Sequence, residues 1–235
     1  MKIPELKEYK VNIDNHELIL YDIKSSRTLD FVIPEAVKGD EYKTRSVNFK
    51  PGDTVIDIGA NVGAVSIMLA KKYPFLDIYA YEAHPINYKN LLKNIKTNNV
   101  TNIKAFNNAV YSKDGYSIDI NLNIDNTGAS NSFIDPKEYP DLYEKEYAFI
   151  KVPTISLDTI IKENNIKHIK FLKMDCEGAE FDIFENSKLI DKTPLENVGI
   201  EIHLFMEELG KNRNDLVNHI NKVCINPPMI KYNGL

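Results

Sequence analysis

A short apolar run that breaks at a glycine constrains this chain more than any other feature. Val55 to Ile58 is rich in β-branched residues, Gly59 follows at once, and Gly63 comes after three further residues, directly before an apolar helical pattern. This order is typical of a buried strand, a tight turn and the beginning of a helix. Such a turn lets a ligand approach bare backbone, and the helix start presents unpaired N–H groups. The stretch is therefore a candidate small-molecule site.

Strand and helix patterns alternate along the rest of the chain. The sequence predicts core strands at 54–58, 77–82, 103–110, 170–175 and 198–203, with helical patterns between them. This alternation predicts an α/β fold with a mostly parallel sheet and helices on both faces. In the helix that Pro85 begins, apolar residues at helical spacing predict one buried face, formed by Tyr88, Leu91, Leu92 and Ile95.

Two parts of the chain depart from the alternation. Residues 1–50 are mixed, with short strands expected at 17–21 and 31–33 and a helix from Pro34 into Tyr42, and we interpret them as an N-terminal cap. Residues 111–150 contain an extended segment at 117–122 and a polar loop at 125–132. A lid, a binding loop and a tolerated surface insertion would explain that loop equally well.

Length and charge limit the classes of protein. The chain has 235 residues without a Gly/Ser/Pro-rich linker, so we expect one structural domain, with the cap at 1–50 and the main domain at 51–235. A net charge of −5 gives no sign of a nucleic-acid partner. No run approaches the roughly 18 apolar residues of a membrane span. Cys176 and Cys224 show no disulfide or metal spacing, which fits a reducing, cytoplasmic compartment.

The residues around the glycine turn indicate the charge of its ligand. The turn lacks both the dinucleotide fingerprint and the lysine of a phosphate loop. Asp57 precedes Gly59 by two residues and suits a ligand with positive charge, such as a sulfonium or an ammonium. Glu82 follows at the next strand end, where an acidic residue typically binds a ribose hydroxyl pair. Residues 107–110 would flank an adenine. A tight packing turn and a solvated carboxylate are the ordinary alternatives.

Charged residues concentrate at two later strand ends. By strand alternation Lys173, Asp175 and Glu177 share one face, and Glu201 and His203 share a face of the next strand. Buried charges on core strands are costly unless they are paired. Because the carboxyl ends of parallel strands meet at one edge of a sheet, we expect these residues to line the rim of a site.

These segments together resemble the FkbM family of S-adenosylmethionine-dependent methyltransferases. The resemblance rests on the glycine turn, on Glu82-Ala83-His84-Pro85 and above all on the Lys-x-Asp-x-Glu-Gly-x-Glu run at 173–180. The pair Glu41-Tyr42 and the Gly128-Ala129-Ser130 loop also fit it. The resemblance implies a Rossmann-like class I sandwich with seven strands, and O-methylation of a small-molecule hydroxyl, often on a sugar or natural product.

The resemblance also points to individual residues. It implies that Gly59, Asn61 and Glu82 contact the cofactor. The full set of predicted cofactor contacts is Asp57, Gly59, Asn61, Gly63, Glu82, Ala83, Asn108, Ala109, Asp175 and Glu177. Ser130, Ser132 and Glu177 are predicted to bind the substrate. The family usually closes with a β-hairpin, and here few residues follow the last helix, so either the last strand pair is incomplete or the chain is truncated.

An alcohol is a poor nucleophile at neutral pH, so a base or a metal ion should assist the transfer. His203 is the first candidate base, because an unperturbed imidazole pKa of about 6.5 suits neutral pH. Asp175 is the second candidate, Glu201 would orient His203, and Lys173 would neutralise the acids or serve as a plain ion-pair partner. Alternatively, Asp175, Glu201 and His203 together would hold Mg²⁺ or Mn²⁺.

Three other functions stay open at this point. Asn226-Pro227-Pro228-Met229 superficially resembles a motif of amino-group methyltransferases that act on nucleic acid, but it follows the last helix and lacks the stacking aromatic residue. A nicotinamide oxidoreductase is disfavoured by the glycine spacing. A non-catalytic cofactor-binding domain would show the same turn. A small-molecule or glycan acceptor is the expected partner, and the sequence names neither the compound nor the oligomeric state.

Overall fold

The computed structural model describes residues 5–26, 30, 33–121 and 149–233. Its strands are β1 Leu6–Ile13, β2 His16–Ile23, β3 Thr54–Ile58, β4 Asp77–Tyr81, β5 Ile103–Phe106, β6 Ala109–Tyr111, β7 Ser117–Asn121, β8 Phe149–Ser156, β9 Phe171–Met174, β10 Val198–His203 and β11 Met229–Asn233. Its α-helices are α1 Ala64–Lys72, α2 Pro85–Thr97, α3 Leu157–Glu163, α4 Glu180–Asn186 and α5 Arg213–Val223. None of the helices in these residues is long and apolar enough to cross a membrane.

A six-stranded sheet lies at the centre, in the order β11-β10-β9-β3-β4-β5, and all its strand pairs are parallel. Ile56 and Ile58 of β3 pack in one buried cluster with side chains of α3, α4 and α5. Val55 lies in a second cluster with α1 and the β1–β2 hairpin. Helices thus cover both faces, and the predicted α/β architecture is confirmed. The chain order reverses between β3 and β9, where open α/β sheets bind their ligands.

The strand predicted at 103–110 is wrong in extent. β5 ends at Phe106, and the chain then leaves the central sheet as β6, which pairs in parallel with β8, while β7 pairs with β8 antiparallel. The physical reason is Asn107, whose Nδ2 donates to the carbonyl oxygens of Glu82 and Ala83 at 2.8 and 2.9 Å. These two bonds hold Asn107 at the end of β4 through its side chain, at the point where the backbone pairing of β5 stops.

The C-terminal segment adds one strand to the sheet. β11 pairs in parallel with β10 and places Lys231 beside Glu201. Of the seven strands that the resemblance implies, the central sheet of the described residues contains these six, and it has no antiparallel pair among them.

The N-terminal region packs as part of the core. Val11, Leu18 and Leu20 of the hairpin are buried in the same cluster as α1. The helix predicted from Pro34 is a short π-helix, Pro34–Lys38, so it ends before Tyr42. The predicted strand at 31–33 and the polar loop with Ser130 and Ser132 fall mainly or wholly outside the described residues.

The buried face of α2 differs from the prediction. Leu91 is buried as expected, but Leu92 is 45% exposed. Asparagines occupy the inner face instead, because they complete the hydrogen bonding of β2. The side chain of Asn94 accepts from the N–H of Tyr21 at 2.8 Å and donates to its carbonyl at 3.0 Å. The side chain of Asn98 makes the same pair of bonds with Ile19: it accepts from the N–H at 3.0 Å and donates to the carbonyl at 2.7 Å.

Candidate functional site

The glycine turn lies directly against the end of β9. Gly59 has a φ of +73°, and a Cβ atom there would come within 1.7 Å of the carbonyl oxygen of Asp175. Asn61 also has a positive φ, +52°, and its Oδ1 accepts from the N–H of Val62 at 2.8 Å. Gly63 faces the helices, since a Cβ atom there would lie 2.4 Å from Cδ1 of Leu91. The turn and Asp175 therefore share one wall of the site.

Glu82 ties the turn to the end of β4. Its Oε2 accepts from the N–H of Asn61 at 2.7 Å, and its Oε1 accepts from the N–H of His84 at 2.9 Å. Burial of this carboxyl raises its pKa to about 7, against the lowering effect of the hydrogen bonds. The protonation of Glu82 therefore changes close to neutral pH.

The residues predicted to contact the cofactor near its adenine differ in how accessible they are. Ala83 and Asn108 are half-buried beside this edge, and the Asn108 amide donates to the carbonyl of Pro153 at 3.4 Å. Ala109 is buried with Ile120 in the core of the small sheet. Of these predicted residues, Ala83 and Asn108 are the ones that the structure leaves partly accessible.

Asp57 is paired inside the protein. Nζ of Lys173 lies 3.4 Å from Oδ1 of Asp57, and the hydroxyl of Ser66 donates to Oδ2 at 2.6 Å. Asp57 and Lys173 are both buried. The structure thus gives Asp57 a partner within the protein, Lys173, whereas the sequence predicted a ligand cation as its partner.

Lys173 joins the turn to the acidic residues. Its Nζ donates to the carbonyl oxygen of Gly59 at 2.5 Å and lies 3.9 Å from Oδ2 of Asp175. Burial alone would lower the pKa of this ammonium, but the neighbouring Asp57 and Asp175 raise it above its ordinary value. Lys173 is therefore a permanent cation that neutralises these acids, which was one of its two predicted roles.

A charged cluster surrounds His203 at the ends of β9 and β10. Nδ1 of His203 lies 3.1 Å from Oε1 of Glu180. Nε2 lies 3.4 Å from Oε2 of Glu177 and 4.0 Å from Oδ1 of Asp175. His203 is 3% exposed, whereas the side chains of Asp175 and Glu177 are each 22% exposed. The two carboxylates thus form the open side of the cluster.

The electrostatics of this cluster bear on the predicted role of His203 as a base. Burial lowers the pKa of the imidazole, but Glu180, Glu177 and Asp175 together raise it to about 10. Without a bound cation, the surrounding acids therefore favour the imidazolium form at neutral pH, which disfavours His203 as the base. Burial has the opposite effect on Glu177 and raises the pKa of its carboxyl to about 8, against the lowering effect of His203.

Glu180, and not Glu201, orients His203. Glu180 is fully buried, and its Oε1 also accepts from the N–H of Cys176 at 2.9 Å. Glu201 instead lies 3.4 Å from Nζ of Lys231. The predicted trio of Asp175, Glu201 and His203 is therefore replaced in the structure by Asp175, Glu177 and His203.

Tyr42 is a site residue that the residue patterns missed. Its buried hydroxyl donates to Oδ2 of Asp175 at 2.9 Å, and its ring lies 5.3 Å from Nζ of Lys173. Burial and the charge of Asp175 hold the pKa of the phenol well above its ordinary value, so it stays protonated. Next to it, Glu41 pairs with Lys231. The family resemblance of Glu41-Tyr42 was the only signal in the sequence, because 133 residues separate Tyr42 from Asp175.

The family of the chain follows from a comparison with known proteins. A family profile described as the methyltransferase FkbM domain matches residues 57–223, well over half of the sequence. The chain belongs to this family. The resemblance inferred from the run at 173–180 is thereby confirmed.

Curated relatives of the family are distant. Methyltransferase 1 of Beauveria bassiana (strain ARSEF 2860) is 26% identical over 164 residues, which cover 62% of this chain and 65% of that protein. The chain thus spans less than two thirds of that relative's length. The 31-O-demethyl-FK506 methyltransferase FkbM of Streptomyces tacrolimicus is 23% identical over 194 residues, covering 72% of this chain and 73% of that protein.

Solved structures are also only distantly similar to this chain. The crystal structure of methyltransferase FkbM from Methylobacillus flagellatus KT aligns with a TM-score of 0.35 and 18% identity, over 71% of this chain and 41% of that one. The site described above therefore rests on the contacts of this chain itself.

Proposed function

We propose that this protein transfers a methyl group from S-adenosylmethionine to a hydroxyl oxygen of a small molecule of the sugar, glycan or natural-product class. The observation that carries the proposal is the contact of Gly59 with Asp175, which joins a cofactor-type turn to an acidic, partly open strand end. Family membership supports methyl transfer. The relative from S. tacrolimicus is named for 31-O-demethyl-FK506, which supports an oxygen acceptor.

The residues at the turn fit S-adenosylmethionine better than a phosphate-rich cofactor. The nearest cation, Lys173, is buried and bonded to the carbonyl of Gly59, while Glu82 and Asp175 are acidic. S-adenosylmethionine supplies an electrophilic methyl group on a positively charged sulfonium, which an acidic surrounding favours. Glu82 would bind the ribose hydroxyls, and the backbone at Gly59 and Asn61 would lie along the cofactor.

The partly exposed carboxyl groups of the cluster are the groups that would remove the proton of the acceptor. Without a bound cation, the acids around His203 favour its protonated form, so the partly exposed carboxyl groups are better placed than His203 to accept the proton. Asp175, the second predicted base, and Glu177 are the partly exposed groups of the cluster. A carboxylate there would accept the proton of the hydroxyl, and a cation bound there would stabilise the negative charge that develops on its oxygen. Ser130 and Ser132 stay predicted acceptor contacts.

The test is a labelled-methyl assay on the full chain. Sugars, glycans and phenols are incubated with S-adenosylmethionine carrying a labelled methyl group, with and without EDTA, and labelled products are identified by mass spectrometry. We expect a methyl ether on at least one hydroxyl class. In parallel, calorimetry with S-adenosylhomocysteine should show binding that Glu82→Ala weakens.

Two outcomes would contradict the proposal. If the wild-type protein binds no S-adenosylhomocysteine, the cofactor assignment is wrong. If label accumulates only on nitrogen, in a small molecule or in added RNA, the acceptor class is wrong while the methyltransferase activity stands. Glu17→Ala, on the exposed side of the hairpin, is the control for the calorimetry and should bind as the wild type does.

A further inference from the structure

We propose that Asp175, Glu177 and His203 form a binding site for one divalent cation with the preferences of Mn²⁺, with Glu180 holding His203 in place. This set differs from the one that the sequence suggested, because Glu177 takes the position expected for Glu201. The site lies at the open edge where β9 and β10 end.

The distances suit a single ion. One ligand atom from each of the three residues can be chosen so that all lie within 4.8 Å of one another. Nε2 of His203 is 3.4 Å from Glu177 and 4.0 Å from Asp175. Ligands that each lie about 2.1 Å from one octahedral ion are about 3 to 4.2 Å apart, so small side-chain shifts would complete the coordination.

A second observation points to a ligand at this place. His203 is 3% exposed, and its Nε2 has no hydrogen-bond partner in the part of the chain that the structure describes. A buried polar nitrogen without a partner is costly, and native proteins rarely leave one. This nitrogen faces the two carboxylates, so a cation between them would satisfy it.

Glu180 supplies the support that metal-binding histidines usually have. Such histidines commonly direct the other ring nitrogen to a carboxylate, which fixes the ring and raises its basicity. Nδ1 of His203 lies 3.1 Å from the fully buried Glu180. Without a role of this kind, a completely buried carboxylate would be an expensive feature of the core.

The backbone at Glu177 is also unusual. Glu177 has a φ of +55°, in the left-handed region that non-glycine residues rarely adopt. The next residue, Gly178, has a φ of +105°, and a Cβ atom there would lie 2.9 Å from Sδ of Met206. These two conformations fold the chain back so that the Glu177 carboxylate reaches His203. Left-handed backbone also occurs at other turns of the described residues, and at Glu177 it belongs to the loop that carries the carboxylate.

The chemistry of the ligands favours Mn²⁺. Two carboxylate oxygens suit Mg²⁺ and Mn²⁺, and the imidazole shifts the preference toward a transition metal. Binding replaces the proton on Nε2, which leaves to solvent. Three positions of an octahedral ion stay open, on the side where Asp175 and Glu177 are exposed. If the proposed function holds, an acceptor hydroxyl would bind at these open positions.

The experiment titrates the full chain with Mn²⁺, in the absence of any methyl donor or acceptor, and follows free Mn²⁺ by electron paramagnetic resonance. We expect one Mn²⁺ per chain. Asp175→Asn and Glu177→Gln should each weaken binding at least about 10-fold, and Glu180→Gln should weaken it about 10- to 100-fold. Glu201→Gln should change it less than about 3-fold, because Lys231 already pairs with that carboxylate.

Glu196→Gln is the matched control, since Glu196 also pairs with a histidine, His168, away from the cluster. It should bind Mn²⁺ as the wild type does. Electron spin echo spectra of the wild-type protein should show coupling to a ¹⁴N nucleus of His203, a measurement that does not depend on any variant folding. The coupling should disappear in His203→Gln.

Three results would overturn the site. They are no Mn²⁺ binding at millimolar concentration, binding that is equal in wild type, Asp175→Asn and Glu177→Gln, and a bound Mn²⁺ without ¹⁴N coupling. Because the titration contains no methyl donor, a failed methyl-transfer assay leaves its result unchanged. The two proposals can therefore fail separately.

Discussion

Two buried polar networks in this protein differ in charge and in completeness. On α2, the amides of Asn94 and Asn98 bond the backbone of β2, each with one accepted and one donated hydrogen bond. These amides take the place of a neighbouring strand. The backbone N–H and carbonyl groups at this edge of the hairpin are therefore hydrogen-bonded without any charged group.

The network around His203 is charged and incomplete. Nε2 of His203 and Oε2 of Glu180 lack hydrogen-bond partners among the residues that the structure describes. Fully satisfied polar networks make a structure rigid, whereas partly satisfied ones cost free energy unless a ligand completes them. We therefore expect the α2 asparagines to contribute to stability and the acidic cluster to bind ligands, and substitutions in each network test that division.

Gly59→Ala should have the largest effect, because it acts where the turn meets the cluster. The new Cβ atom would lie 1.7 Å from the carbonyl oxygen of Asp175, at a φ that already disfavours alanine. We expect a loss of unfolding free energy of about 4 kcal/mol or more, and no binding of S-adenosylhomocysteine. Urea denaturation and calorimetry measure both.

Gly52→Ala is the control for that change. Gly52 has a similar φ, +87°, but nothing lies within 4 Å of its Cβ position. We expect it to cost about 1 kcal/mol from backbone conformation alone. Equal losses of unfolding free energy in Gly59→Ala and Gly52→Ala would show that the backbone of Gly59 does not lie this close to Asp175.

Asn94→Ala should lower stability without touching binding. It leaves the N–H and carbonyl of Tyr21 without the amide, so we expect a loss of about 2–4 kcal/mol in urea denaturation. Affinity for S-adenosylhomocysteine, measured well below the melting temperature, should stay within about 2-fold. Asn221→Ala, at an exposed asparagine of α5, should cost less than about 0.5 kcal/mol. A large loss of affinity in Asn94→Ala would break the division between the networks.

Glu82 should make cofactor affinity depend on pH. Its pKa is raised from 4.5 to about 7, so burial favours the protonated form, and its contribution to stability is present at low pH and lost as pH rises toward 7. The affinity for the cofactor should change in the opposite direction and rise with pH, because only the carboxylate accepts hydrogen bonds at both oxygens.

The measurement is calorimetry with S-adenosylhomocysteine between pH 5.5 and 8.5, a range chosen to span the pKa of about 7. Affinity should fall up to about 10-fold for each pH unit below that pKa. Glu82→Gln should bind more weakly at high pH and give a flat profile. A wild-type profile without slope would exclude Glu82 from the cofactor contacts.

Tyr42→Phe should have the smallest effect. It removes one hydrogen bond to Asp175, whose side chain is 22% exposed and can bond water instead. We expect a loss of about 1 kcal/mol in urea denaturation. Tyr88→Phe, which removes a longer bond of 3.4 Å to the carbonyl of Ala105, is the comparison and should cost less. If Tyr42→Phe costs less unfolding free energy than Tyr88→Phe, the N-terminal segment does not support the cluster.

The sequence predicted those features that depend on neighbouring residues. β3 and β4 follow from local apolar patterns, and their bounds agree closely with the structure; α1 begins directly after Gly63, where the helical pattern starts. The extent of β5 and the burial of Leu92 could not be predicted in this way. Both are decided by asparagine side chains that bond backbone groups distant in the chain.

For the site, the sequence predicted residues at the strand ends that the structure brings together, but it did not predict their partners. His203 was recognised, yet its protonation depends on Glu180, Glu177 and Asp175 together, and hence on the path of the loop after β9. The choice of Glu180 over Glu201 depends on the same loop. Strand alternation places side chains on faces, and it does not give distances between loops.

The contact between Gly59 and Asp175 has a consequence for specificity. The glycine turn and the acidic cluster meet at this contact, and Lys173 bonds to the same turn. If the proposed function holds, a substitution at Gly59 or Asp175 should therefore alter methyl-donor binding and the acidic cluster together. Acceptor preference would then change independently only through residues away from this contact.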